Sequence, residues 1–181
     1  MSTGILLAAG EGRRFGGPKQ LARVGGRPLI EHALEALHDL DRRIVVLGAR
    51  ADEVRAGADL RGSEIVVCDD WAEGMGASLR RGLAAAGDTD EVVIMLADQP
   101  FLTAAVVARV RAAPGDSARA VFAGAPGHPV VLRRALLARA GELHGDRGFR
   151  GRLEEATEVE CGDLADPRDI DTRADLEVVR R

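Results

Sequence analysis

Short apolar runs alternate with amphipathic stretches through the first half of the chain, and few folds accommodate that alternation. The runs at 5–8, 43–47, 64–68 and 92–96 have the length and the branched side chains of buried strands. Between them Leu29-Ile30, Ala33-Leu34 and Leu37 recur at helical spacing, as do Leu79 and Leu83. Thr103 stands where a cap for a helix over 104–111 belongs. Repetition of this kind predicts βαβ units in an α/β fold: a single doubly wound, mainly parallel, Rossmann-like sheet. Its ligand crevice lies outside the carboxyl ends of the strands, where the loop at Gly10, the segment 69–78 and Asp98 all emerge.

The second half is less regular. Turns at 113–116 and 124–127 bracket a short strand at 119–122, and 130–132 reads as its antiparallel partner, a small antiparallel addition to the sheet. Helices are expected at 135–140 and 149–155, then a strand at 158–161 and a closing helix from Thr172. With no repeat, low-complexity tract or linker, residues 1–181 read as one domain.

The first strand empties into Leu7-Ala8-Ala9-Gly10-Glu11-Gly12-Arg13-Arg14-Phe15-Gly16-Gly17-Pro18-Lys19. Gly10, Gly12, Gly16 and Gly17 let backbone N–H groups approach phosphate oxygens with no Cβ in the way, and Arg14 and Lys19 bring charge to the same oxygens. The loop suits a triphosphate. It is not a dinucleotide fingerprint, because Phe15 occupies the sixth position where glycine allows helix and strand to pack closely. Nor is it a P-loop, since Gln20 follows Lys19 where Ser or Thr would hold a metal.

Composition narrows the partners. A net charge of −4, from 25 basic and 29 acidic residues, does not supply the cationic face that nucleic acid requires. Aromatic residues are 3% of the chain, so stacking platforms for single strands are not expected. The apolar stretch at 4–9 is too short for a membrane span and lacks the flanks of a secretory signal. Cys68 and Cys161 are far apart and outside any CxxC spacing, which argues against a zinc site or a disulfide framework. The expectation is a cytoplasmic protein without membrane or nucleic-acid partners.

Two further segments carry chemistry. Asp98, in Leu96-Ala97-Asp98-Gln99-Pro100, puts a carboxylate at the end of an apolar strand, where an unpaired charge is costly. Mg²⁺, which takes one or two carboxylates together with substrate phosphates, would satisfy it. Gly127-His128-Pro129, followed by Gly145-Asp146-Arg147-Gly148, offers an imidazole and a polar turn to a second, phosphate-bearing substrate.

The first motif, read as LAAG-x-G-x-R-x-G-x-x-K, resembles the signature of nucleotidyltransferases that activate sugar phosphates, polyol phosphates and pterin cofactors. Together with Glu73-Gly74-Met75-Gly76-Ala77-Ser78-Leu79, Asp98-Gln99-Pro100 and the His128 and Asp146 blocks, it resembles the molybdenum cofactor cytidylyltransferases. These are the MocA-like branch of the MobA-like NTP transferase superfamily. The closing 169–176 also looks like that family's last helix start, so the likeness spans nearly the whole chain. Phe15 stands where the family commonly has Met, and the connections are short.

The resemblance implies CMP transfer from CTP to the terminal phosphate of molybdopterin, with release of pyrophosphate. Arg14, Lys19 and Asp98 would be catalytic, and Leu7, Ala8, Ala9, Gly10, Gly12, Arg14, Lys19, Gly76 and Ser78 would bind nucleotide. His128 and Asp146 would face the acceptor. Asp98 would hold Mg²⁺, with Asp171 or Asp69 as a second carboxylate. Ala9, where guanylyltransferase relatives carry glycine, implies a preference for CTP over GTP. A molybdenum hydroxylase would be the client. Two alternatives stay open: transfer to another phosphorylated acceptor such as a sugar 1-phosphate, and a non-catalytic carrier of the finished cofactor.

Overall fold

A computed structural model describes residues 1–60, 62–138 and 155–179. Along the chain run β1 (Ser2–Ala8), the small hairpin β2 (Arg23–Val24) and β3 (Arg27–Pro28), α1 (Leu29–Glu35), β4 (Arg42–Leu47) and α2 (Ala51–Gly57). Then come β5 (Glu64–Val67), α3 (Met75–Ala86), β6 (Glu91–Leu96), α4 (Ala104–Arg111), β7 (Ser117–Phe122), β8 (Ala125–Arg133) and α5 (Arg134–Leu137). The strand β9 (Thr157–Glu160) and a C-terminal helix, Arg173–Val179, complete the described elements.

Seven strands make one sheet in the order β5-β4-β1-β6-β8-β7-β9. Strands β5, β4, β1 and β6 are mutually parallel, β8 runs antiparallel to both β6 and β7, and β9 is parallel to β7. The expected α/β sheet is therefore present, with β8 as its antiparallel member. Among the described residues no helix is long and apolar enough to cross a membrane.

Alternation along each strand builds two cores. Leu6, Ala8, Val45, Leu47, Val93 and Met95 face one side, beneath Ile30 and Leu34 of α1, Val54 of α2 and Val106, Val107 and Val110 of α4. Ile5, Leu7, Ile44, Val46, Val92 and Ile94 face the other, beneath Ala77, Leu79 and Ala86 of α3. Because the chain leaves β1 toward β4 and β5 and returns to the far side of β1 as β6, the order reverses at the β1/β6 pair. An open α/β sheet offers its crevice at such a reversal.

Several expectations need correction. Residues 125–127 belong to β8, and the turn is confined to Ala123 and Gly124, both at positive φ (51° and 79°). Thr103 occupies the cap position of α4, but its side chain makes no capping bond. The expected helix at 149–155 falls almost wholly outside the described residues. Helix α2, with only Val54 buried, shows too narrow an apolar stripe to be read from periodicity.

Helix α3 lies close to the sheet because Gly82 has no side chain. A Cβ there would stand 2.8 Å from Ile5 Cγ2 and 3.0 Å from Val46 Cγ2. Gly82→Val is expected to cost about 1–3 kcal/mol of stability through overpacking, seen as a lower urea midpoint. An unchanged midpoint would mean that α3 can move outward freely.

Candidate functional site

The carboxyl ends of β1 and β6 open into a cleft of about 400 Å³. Its walls include Leu7, Ala8, Ala9, Gly10 and Gly12 from β1 and the loop after it, Trp71, Gly74, Met75 and Ser78 from the approach to α3, and Leu96, Ala97 and Asp98 from β6. The loop owes its shape to Gly12. At φ 73°, its carbonyl accepts from the N–H groups of Phe15, Gly16 and Gly17 at 3.0, 2.9 and 3.3 Å. A Cβ on Gly12 would lie 2.0 Å from the Gly17 carbonyl oxygen, so no other residue fits there. This corrects one expectation: the N–H groups of Gly16 and Gly17 are committed to the loop itself and do not face a ligand.

Gln20 ties the loop to the strand. It is buried, and its Nε2 donates to the carbonyls of Ala8 at 2.7 Å and Gly10 at 2.8 Å. On the other side Gly48 makes room for Ala9 and Trp71, since a Cβ on Gly48 would come within 2.8 Å of both side chains. The Ala9 carbonyl accepts from Ala49 N–H at 3.2 Å. Ala9 is thus held rigidly in the cleft wall.

Lys19 is the centre of the charge arrangement. Its Nζ donates to Asp98 Oδ2 at 2.5 Å and Asp171 Oδ1 at 2.8 Å, and Arg14 pairs with Asp171 Oδ2 at 2.9 Å. Burial lowers the Lys19 pKa, but the charge of Asp98 and the bonds to Asp171 and Asp98 outweigh it and hold the ammonium above its ordinary value. The Asp171 carboxyl is held low, first by the Lys19 bond. Asp171 comes from far along the chain, placed by Ile170, whose N–H donates to the Asp98 carbonyl at 2.9 Å. The Ile170 side chain packs with Phe15, Leu29 and Leu176 in a separate small core. Arg173, on the C-terminal helix, lies over the Phe15 ring at 5.4 Å. The apolar residue that spoils a dinucleotide fingerprint therefore anchors the segment carrying Asp171.

Other expected residues lie apart. Arg14 has a largely exposed side chain and lines neither cavity, reaching the cluster through Asp171. Asp69 is exposed and lines neither cavity, so Asp171 is the carboxylate brought to Asp98. Gly76 and His128 face a second cavity of about 340 Å³, which shares Leu7, Met75 and Leu96 with the first. Asp146 lies outside the described residues. Sequence reading missed Trp71, Gln20, Gln99 and Asp169. The lone Trp, directly after the third strand in a segment expected at the crevice, was the available signal for the first.

The family model of the MobA-like NTP transferase domain matches residues 4–159. The chain belongs to this family. It is 37% identical over 94% of its length to the nicotine blue oxidoreductase of Paenarthrobacter nicotinovorans, covering 92% of that protein. It is 31% identical over 98% of its length to the purine catabolism protein PucB of Bacillus subtilis, covering 95%. Among solved structures, Rv0371c of Mycobacterium tuberculosis matches with a TM-score of 0.83 and 30% identity, over 99% of this chain and 97% of that one. A manganese complex of the same protein matches at 0.80, with 28% identity over 98% and 97%. The NTP transferase fold and the MocA-like placement expected from the motifs stand with these likenesses.

His128 gives the site a measurable signature. Burial pushes its imidazole down to about 4, against a smaller upward pull from Asp98. Between pH 6.5 and about 4 the unfolded chain therefore binds more protons at this position than the folded one, and stability falls on acidification across that window. His128→Gln is expected to flatten this part of the stability profile, followed by urea unfolding at a series of pH values. An identical slope in both proteins would show that the folded imidazole titrates normally.

Proposed function

We propose that this chain is a cytoplasmic nucleotidyltransferase, a single domain over 1–181, that transfers CMP from CTP to the terminal phosphate of a molybdopterin-type acceptor and releases pyrophosphate. The observation that carries the reading is the meeting of Lys19, Asp98 and Asp171 at a glycine-lined cleft. Leu7, Ala8, Ala9, Gly10, Gly12 and Ser78 would bind the nucleotide, with Trp71 as a further wall. Gly76 would serve from the partition between the two cavities.

The two carboxylates fit a divalent cation. Both offer hard oxygen donors, and Asp98 Oδ1 is buried with no hydrogen-bond partner among the described residues. Among the described residues no third His, Cys, Asp or Glu completes a cluster, which suits an ion that draws its remaining ligands from substrate phosphates and water. Mg²⁺ is the reading for this chain, and the manganese complex of the mycobacterial relative supports a divalent metal. Bound there, it would neutralise charge on the transferring phosphates. Lys19 would give up carboxylate oxygens for phosphate oxygens as the triphosphate arrives, and Arg14, already exposed, would follow.

An oxygen of the acceptor phosphate attacks the α-phosphorus. The bond from that phosphorus to the bridging oxygen breaks, and its electron pair leaves with pyrophosphate. The phosphate nucleophile is already ionised near neutral pH, so no base has to remove a proton. Positioning and charge neutralisation supply the acceleration. A molybdenum hydroxylase would be the client for the product.

A carrier that only delivers finished cofactor has no use for the half-buried Lys19 cluster. A dinucleotide oxidoreductase, suggested by the name of one relative, is disfavoured by the loop. It runs into a 3₁₀ turn and a hairpin before α1 begins at Leu29, so no helix N-terminus stands at its end to receive a pyrophosphate. Another phosphorylated acceptor remains the second reading, to be decided by an acceptor panel.

Pyrophosphate release with CTP, Mg²⁺ and molybdopterin is the test. Asp98→Asn should lower turnover by about 100-fold or more, the scale on which one preorganised electrostatic group acts, with folding preserved. More than half the activity at saturating Mg²⁺ would remove Asp98 from the mechanism. CTP should be preferred over GTP by roughly tenfold, the discrimination expected of one methyl group, and Ala9→Gly should relax it. Equal specificity constants in the unmodified protein would show that Ala9 does not gate the base.

A further inference from the structure

Asp98 and Asp171 together carry four carboxylate oxygens, and three of them already receive a cation. Lys19 Nζ donates to Asp98 Oδ2 at 2.5 Å and to Asp171 Oδ1 at 2.8 Å, and Arg14 pairs with Asp171 Oδ2 at 2.9 Å. The fourth, Asp98 Oδ1, is buried with no hydrogen-bond partner among the described residues. An ion coming from solvent reaches it only after the groups around it move. The ammonium therefore occupies the place between two carboxylates that a divalent ion shared by them would take.

That ammonium is firmly held. The side chains of Lys19, Asp98 and Asp171 are 18%, 17% and 27% exposed, so water and salt screen them poorly. The backbone is fixed as well, because Lys19 opens the 3₁₀ turn Lys19–Leu21 and the adjacent Gln20 is bonded to the Ala8 and Gly10 carbonyls. The other carboxylate lining the cleft, Glu11, is paired with Arg13 at 2.6 Å. A divalent ion arriving alone must sit beside the ammonium, like charge against like, or expel it into a cleft with no anion ready to receive it. Either course is costly where water is scarce. A triphosphate removes the difficulty, since its oxygens give the ammonium new partners and free the carboxylates.

We propose that Lys19 is the resident cation of the metal site: in the free protein it fills the place between Asp98 and Asp171, and a divalent ion is admitted only with or after the triphosphate that draws the ammonium away. The proposal rests on the transfer reading above for where nucleotide and ion bind. Its consequence is an order of addition. Metal alone binds weakly, and metal and nucleotide strengthen each other's binding by the same factor. Lys19 acts twice, on the carboxylates before the nucleotide arrives and on phosphate oxygens afterwards.

Electron paramagnetic resonance on the full chain tests this, because free Mn²⁺ gives a sharp signal that is lost on binding. Without nucleotide, Lys19→Met should bind Mn²⁺ more tightly than the unmodified protein by roughly tenfold or more, within the usual range of coupling between sites. Arg14→Met removes an equal charge from Asp171 but leaves Lys19 in place, and its gain should be less than about threefold. A non-hydrolysable CTP analogue should tighten Mn²⁺ binding to the unmodified protein by roughly tenfold or more, beyond the uptake by the analogue alone. Equal affinity of the unmodified protein and Lys19→Met without nucleotide, or equal gains in Lys19→Met and Arg14→Met, would overturn the proposal. So would a gain in Lys19→Met that survives the addition of Asp98→Asn, since the ion would then lie elsewhere. Mn²⁺ held by the free unmodified protein as tightly as by its nucleotide complex overturns it even where Lys19→Met fails to fold, and leaves the transfer reading intact. Mn²⁺ binding as expected, with no pyrophosphate released from any NTP, supports the role of Lys19 and counts against transfer.

Discussion

Lys19 stands between Asp98 and Asp171, and through that one ammonium the loop after β1, the end of β6 and the C-terminal segment are drawn to a single point. The side chains of Lys19 and Asp98 are only 18% and 17% exposed, so each charge depends on its partners. Removing one member of such a group leaves an uncompensated charge away from water, which costs far more than an exposed pair is worth. The surrounding structure supports this meeting. Gln20 fixes the loop to β1, Gly12 folds it back on itself, and the small core of Phe15, Leu29, Ile170 and Leu176 holds Asp171 in reach.

The parts of this arrangement differ in how far the sequence discloses them. Strands β1, β4, β5 and β6 were legible as short continuous apolar runs, since the sheet is covered on both faces, and helices α1, α3 and α4 because each buries one face against the sheet, which stamps a period of 3.6 on the residues. Asp98 was legible because a carboxylate ending an apolar run has no local reason to be there. The partnership of Lys19 with Asp171 was not, since it joins residues 152 positions apart and depends on how Ile170 docks. Asp171 appeared in the motif reading only as one of two choices, and no spacing rule separates it from Asp69.

Phe15 shows the same limit from the other side. As sequence it only excludes a dinucleotide loop; in the fold it is the apolar plug on which the C-terminal segment rests, with Arg173 above its ring. His128, expected on the acceptor side, lines the second cavity, and desolvation there pushes its imidazole down to about 4. The sequence left its protonation state open between neutral and charged, because desolvation is set by β8 and its neighbours and leaves no mark in the tripeptide around it.

In the proposed reaction Lys19 leaves its carboxylates for the triphosphate while Asp98 and Asp171 take up a divalent ion. A crystal structure with a non-hydrolysable CTP analogue and Mn²⁺ examines this directly, since manganese is located by its anomalous signal. The expected result is a manganese peak bound by Asp98 and Asp171, with Lys19 Nζ on phosphate oxygens. Nucleotide bound in the cleft with Lys19 still bridging both carboxylates, and no manganese beside them, would contradict it.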